Sequence, residues 1–197
     1  MTHRRLAGIG AVAAVAASAG DLLMLWVANA RRPELGLGAP PDTVLWLGAA
    51  LGVVGIPLYA VGYRAAARLV ADHPRGARAV FAGGALAAAA GAVIHGLTAE
   101  LIDRALRSGA PGTPPLEAVA AGGPLLVGLW GLAALGALVA SVAFARSRGD
   151  ALALANPALV TVGLMLLALP TELGRSFLAP AAPNIAHVVF FLACTRR

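Results

Sequence analysis

Lysine is absent from this chain; all fifteen basic residues are arginines, and only nine residues are acidic. Charged residues make up 12% of the sequence, against roughly a quarter in soluble domains. That scarcity argues against a water-soluble fold, as do a 59% hydrophobic content and a mean hydropathy of +0.82. The single cysteine, Cys194, excludes an internal disulfide and any multi-cysteine metal site; it reads as a small helix-packing residue. There is no Gly-rich phosphate loop, CxxC pair, HExxH or GxSxG. Asp-rich diphosphate-binding motifs of prenyl-transferring enzymes are missing too. The net charge of +6 does not make nucleic acid an expected partner, because the arginines sit in short connections between apolar runs. Such connections obey the positive-inside rule of membrane proteins.

What is present is a succession of long apolar runs. Crossing the hydrocarbon core takes about 20 apolar residues as a helix. Six segments qualify or nearly so: Leu6–Ala30, Val44–Tyr63, Ala77–Ala99, Leu116–Ala145, Ala151–Leu169 and Phe177–Thr195. Short connections make neighbouring helices antiparallel. The expectation is an all-α polytopic membrane protein, a bundle of six transmembrane helices forming one domain over residues 1–197. Ala17-Ser18-Ala19 before Gly20 resembles a signal cleavage site. The apolar run continues through Leu22 to Ala28, however, so an uncleaved helix is expected.

Orientation follows from the arginines. With the N-terminus inside, Arg4, Arg5, Arg64, Arg68, Arg75, Arg78, Arg146, Arg148, Arg196 and Arg197 fall on the inner side. Arg31, Arg32, Arg104, Arg107 and Arg175 fall outside, together with Glu34, Asp42, Glu100, Asp103, Glu117 and Glu172. Ten against five favours a multi-pass protein of the bacterial inner membrane with both termini cytoplasmic. Gly48/Gly52 and Gly128/Gly131 give small faces for close helix packing. Pro57 and Pro170 should kink the second and fifth helices, and Asn156-Pro157 has the form of a helix start.

Polar residues interrupt this apolar background unevenly. Ionisable groups inside a membrane helix cost at least about 2.5 kcal/mol each at the centre, so they require partners, water or a function. In the expected topology Asp21 and Asn29 lie in the outer half of the first helix. His95, Thr98 and Glu100 lie at the outer end of the third, Glu172 and Arg175 beyond the fifth, and Asn184 and His187 at the start of the sixth. The inner half holds little that is polar beyond Tyr59 and Ser141. Asp21, His95, Glu100, Glu172 and His187 are therefore the candidate catalytic groups. Each has a plainer reading: Glu100/Arg104, Asp103/Arg107 and Glu172/Arg175 are locally spaced ion pairs, and Asn184 after Pro183 suits a helix cap. Trp26 and Trp46 fit an interfacial aromatic belt. Alternatively they line an apolar cavity with Tyr59, Asn184 and Phe191, where ring faces would stabilise a developing cation.

The chemistry open to such a set is acid–base. A carboxyl group desolvated among aliphatic neighbours keeps its proton to higher pH, and a nearby histidine shuttles it. Protonation of an alkene or epoxide, followed by deprotonation of the carbocation, would isomerise or cyclise an apolar isoprenoid- or sterol-like lipid without a cofactor. A metal held by His95, His187 and a carboxylate is a weaker option, because the spacing matches no metal motif. Through Gly55-Ile56-Pro57-Leu58-Tyr59 with Gly62, and through His95-Gly96, the chain resembles small polytopic bacterial proteins of uncharacterised function. In general plan it is similar to membrane-embedded terpene cyclases. Their Asn/Trp-Glu motif is absent here, so that resemblance implies an architecture and carries over no catalytic residue. Two other classes stay open: a proton-coupled carrier, with six short helices suiting half of a homodimer, and a non-catalytic membrane subunit.

Overall fold

In hydrocarbon every backbone N–H and C=O must find its partner within the segment, so long apolar runs become helices. The computed structural model describes residues 1–30, 32–41, 43–108 and 122–197, and all its regular structure there is helical. The helices are α1 (His3–Asn29), α2 (Thr43–Gly55), α3 (Tyr59–Leu69), α4 (Pro74–Arg107), α5 (Gly123–Arg148), α6 (Pro157–Ala168) and α7 (Ala179–Thr195). A 3-10 turn over Ile56–Leu58 joins α2 to α3 in one continuous span, and a π-helical turn over Gly174–Leu178 leads into α7. Among the described residues five spans are long and apolar enough to cross a membrane: α1, α2–α3, α4, α5 and Gly174–Thr195. The chain folds as a helical membrane bundle.

The segment expected over Ala151–Leu169 behaves differently. It divides into a 3-10 turn (Ala151–Ala155) and α6, which has 12 residues and measures about 18 Å, against about 30 Å of hydrocarbon. Both ends are set by sequence. Asn156 Oδ1 accepts from Leu159 N at 3.1 Å, ahead of Pro157 in the first turn. At the other end α6 stops at Ala168, so Pro170 terminates this helix instead of kinking it. Pro57 does interrupt its span, inside the 3-10 turn. Arg31, Asp42, Glu117 and the beginning of the segment expected over Leu116–Ala145 lie outside the described residues.

Helix α1 is the centre of the bundle, packed on α2, α3 and α7, while α4 packs on α2, α3 and α5. The closest approaches run through glycine. A Cβ on Gly20 would stand 2.6 Å from the Gly48 carbonyl oxygen, and one on Gly83 would stand 2.6 Å from that of Gly136. The expected packing role thus holds for Gly48 and Gly52. It does not hold for Gly128 and Gly131, which have no described atom within 4 Å of a Cβ built on them. On α5 the contact with α4 is made one turn further on, at Gly136.

Two apolar clusters result. One gathers Leu6 to Ala17 of α1, Ile56, Tyr59, Tyr63, Val80, Ala88, Phe144, Phe190, Phe191 and Cys194. The other gathers Met24, Val27, Ala28, Leu45, Ala49, Ala99 and Ile102. Both chain termini lie at the end of the first cluster. His3 Nε2 and Arg4 Nε reach the Arg197 carbonyl at 2.9 and 3.1 Å, Arg68 Nη1 donates to the Met1 carbonyl, and Arg148 Nη1 donates to that of Leu69. Arginines from the ends of four helices therefore share one face of the bundle.

Candidate functional site

Between the two apolar clusters α1, α2 and α4 each pass through a polar or glycine position. On α1 the first cluster ends at Ala17 and the second begins at Met24, with Gly20 and Asp21 between them. On α4 the gap between Ala88 and Ala99 contains His95. The glycine crossing of α1 and α2 brings Gly20 against Gly48, and it delivers the neighbouring Asp21 to the α2–α4 seam. Gly52, one turn on from Gly48, supplies the remaining space: a Cβ there would lie 2.0 Å from His95 Nε2. The imidazole occupies the volume that a side chain at position 52 would take.

The contacts form a directed chain. Tyr59 Oη donates to Asn184 Oδ1 at 2.7 Å, and Asn184 Nδ2 donates to Asp21 Oδ2 at 2.7 Å. The other carboxylate oxygen, Oδ1, stands 3.3 Å from His95 Nδ1. His95 Nε2 lies 3.1 Å from the Gly48 carbonyl oxygen. A carbonyl only accepts, so the hydrogen of this contact sits on Nε2. His95 is 4% exposed and the Asp21 side chain 13%; Asn184 is half-buried.

A second group of rings continues the layer. His187 stacks on Tyr59 with centroids 4.6 Å apart. Its Nδ1 faces the Pro183 carbonyl at 2.6 Å and its Nε2 faces Tyr63 Oη at 2.8 Å. The carbonyl places hydrogen on Nδ1, which leaves Nε2 to accept from the tyrosine; this describes a neutral imidazole of fixed tautomer. Phe191 closes against Tyr59, Tyr63 and His187 with centroids 5.4–5.7 Å apart. Gly62 makes room for it, because a Cβ at that position would overlap the Phe191 ring.

Of the residues singled out from sequence, Asp21, His95, Asn184 and Tyr59 come together, with His187 and Phe191 against Tyr59. Asn184 lies inside α7 and not at its cap, because the π-helical turn starts the span ten residues earlier, at Gly174. The remaining residues have other partners. Glu100 pairs with Arg104 at 2.7 Å on a surface-exposed part of α4. With 34 residues, about 51 Å, α4 overruns the hydrocarbon and brings that end into polar surroundings.

Glu172 accepts from Arg32 at 2.5 Å and from Arg175 at 2.7 Å, with Ser176 Oγ at 3.3 Å. Arg32 also reaches Asn29 Oδ1, and Asn29 is about 12 Å beyond Asp21 along α1. Hydrogen bonds from Arg175 and then Arg32 push the Glu172 carboxyl down to about 2. It is thus held as an anion in a latch between the end of α1 and the π-helical turn, apart from Asp21. Trp26 Nε1 donates to the Gly38 carbonyl at 2.9 Å, and Trp46 is 49% exposed. Among the described residues neither is hydrogen-bonded to the Asp21 group.

His95 and His187 have their ring nitrogens committed to different partners. Among the described residues no group of three His, Cys, Asp or Glu side chains is arranged to hold a metal ion. Three participants are not marked by the sequence as part of a site. Tyr63 sits one turn after Tyr59 on the same face of α3, a spacing that could have been noticed. The Gly48 carbonyl and the empty position at Gly52 carry no side-chain signal at all. Comparison with protein-family models, with curated proteins and with solved structures finds no match for this chain.

Proposed function

We propose that the protein is a membrane-embedded acid–base enzyme, multi-pass in the bacterial inner membrane with both termini cytoplasmic. It acts without a cofactor on an apolar isoprenoid- or sterol-like lipid, which it isomerises or cyclises. The observation that carries this reading is the contact between the Asp21 carboxyl and the His95 imidazole inside an otherwise apolar bundle. Asp21 gives its proton to an alkene or epoxide, and the resulting carboxylate recovers a proton from the carbocation. His95 acts through Asp21 as a positioning residue, and Tyr59 holds Asn184, which orients the second carboxylate oxygen. The test compares lipid extracts, by mass spectrometry, from cells carrying the protein, the Asp21→Asn variant or neither. A lipid species that appears with the protein and disappears with the variant is expected; identical extracts overturn the reading.

A proton-coupled carrier is the second reading, favoured by one observation. The His187–Tyr63 pair extends the polar layer from Tyr59 toward the arginine-rich end. Purified protein in proteoliposomes separates the two, since a carrier produces proton-coupled flux and the enzyme produces none.

A further inference from the structure

The α2 backbone limits what the Asp21–His95 pair can do with protons. His95 Nε2 faces the Gly48 carbonyl at 3.1 Å, and that oxygen has no proton to offer. The ring cannot easily turn over or withdraw, because it fills the space left by Gly52 on one side and meets Asp21 on the other. Hydrogen therefore stays on Nε2 in every charge state of the pair. The other nitrogen, Nδ1, faces a carboxylate oxygen at 3.3 Å. A bare nitrogen lone pair against an ionised carboxylate would be repulsive with so little solvent present, so one proton belongs on one of these two atoms.

We infer that Asp21 and His95 hold a single exchangeable proton between Oδ1 and Nδ1, and that Gly48 and Gly52 are the positions that restrict them to one. The pair is then either imidazolium with carboxylate or imidazole with carboxylic acid, and its net charge is zero in both forms. After giving this proton to a lipid-soluble reactant the pair is left as a carboxylate beside a neutral imidazole, its negative charge matched by the cation formed, and taking a proton back from that cation restores the neutral pair. Among the described residues no other charged group pairs with it. From α1 the only ionisable contact is Asp21 itself, and α2 presents backbone and glycine. Tyr59 of α3 faces it across the neutral Asn184 amide of α7, to which both are hydrogen-bonded, and His187 stacks beyond Tyr59. On α4, Glu100 is engaged with Arg104.

The assignment of a use to this proton rests on the acid–base reading above, whereas its position can be read in resting protein with no substrate. The experiment is nitrogen-15 NMR of histidine-labelled full-length protein in lipid nanodiscs, recorded across pH, with a His95→Gln sample to assign the resonances. In the wild type Nε2 is expected to carry hydrogen throughout, and Nδ1 is the only His95 nitrogen whose signal moves. In Asp21→Asn the His95 signals should stay those of the neutral Nε2–H tautomer over the range in which the wild type changes. Gly52→Ala, which displaces the ring, should give a mixture of tautomers. A wild type whose His95 carries hydrogen on Nδ1 and a bare Nε2 overturns the inference without any variant, as does titration that survives Asp21→Asn. Lipid extracts unchanged by the wild-type protein, together with the expected NMR result, would instead reject the enzymatic reading and leave the one-proton pair standing.

Discussion

Replacing Asp21 by alanine and by asparagine separates the hydrogen-bonding role of this residue from its proton. Alanine removes the acceptor of Asn184 Nδ2 and the partner of His95 Nδ1 together. An unsatisfied buried polar group costs about 1–3 kcal/mol in soluble proteins. In membrane bundles the unfolded reference state also finds partners, and measured polar contacts average about 0.6 kcal/mol with a maximum of about 1.7. Two lost contacts therefore place Asp21→Ala at about 1–3 kcal/mol of destabilisation. Asparagine retains the shape. Its oxygen accepts from Asn184, and its amide hydrogen meets an unprotonated Nδ1, the state that the Gly48 carbonyl already allows by keeping hydrogen on Nε2. Asp21→Asn should accordingly lose less than about 1 kcal/mol while the exchangeable proton disappears. Equilibrium unfolding of the two variants in the same lipid environment measures this directly. Equal losses for alanine and asparagine would refute the hydrogen-bond accounting, and an alanine variant as stable as the wild type would refute the claim that these contacts matter.

Three further outcomes follow from the geometry. Gly136→Ala should destabilise by about 1–3 kcal/mol through overpacking, since its Cβ meets the Gly83 carbonyl at 2.6 Å; Gly131→Ala, with no described neighbour, should be neutral or stabilising, and thermal melting of both decides it. Glu172 is held near 2 against an ordinary 4.5, so its ion pairs contribute fully above that ordinary value and are lost as pH falls through the lower one. The melting difference between wild type and Glu172→Gln should therefore shrink from pH 4.5 toward about 2, and a difference that grows on acidification would contradict the latch. Tyr59→Phe removes the donor to Asn184 Oδ1 and should lower stability by about 1 kcal/mol; in the double variant with Asn184→Ala the two losses should fall short of additivity, which a double-mutant cycle measures.

Much of the bundle was legible because apolar length is a strong signal: α1, the α2–α3 span and α4 lie close to the runs from which they were expected. Asp21, His95 and Asn184 were recognisable because each is expensive in lipid, and sequence position gives their depth. Depth is all that position gives; it does not say which groups meet. Glu172 and Glu100 sit near the same end of the bundle as the other groups. Their direction around the helix axis and their competing arginines, Arg32, Arg175 and Arg104, depend on packing that no single segment encodes. The glycines illustrate the same limit. Gly48/Gly52 and Gly128/Gly131 look alike along the chain, and only the first pair meets another helix. Pro170 is ambiguous for a different reason: proline excludes helical continuation equally well by kinking or by stopping, and the shortness of α6 appears only once Asn156 is seen to cap it.

On the proposed acid–base reading the polar layer does more than join helices, and an energetic comparison supports that reading. Neutral amides or hydroxyls would join α1, α4 and α7 equally well, whereas an aspartate carries an insertion penalty of about 2.5–3.5 kcal/mol at the centre of a membrane helix. Around this aspartate the chain also forgoes side chains at three glycines, Gly20, Gly48 and Gly52, each of which is closed to a Cβ. Two of them admit the α1–α2 crossing and the third admits the imidazole. The contacts are also graded in access. His95, Tyr59 and His187 are sealed in, while Asp21 and Asn184 are the members that keep partial exposure. On the proposed reading, a reactant dissolved in the membrane would meet the carboxyl before the imidazole. His95 can influence it only through the proton that it shares with Asp21, so substitutions of His95 should alter the pH profile of any turnover more than the affinity for substrate.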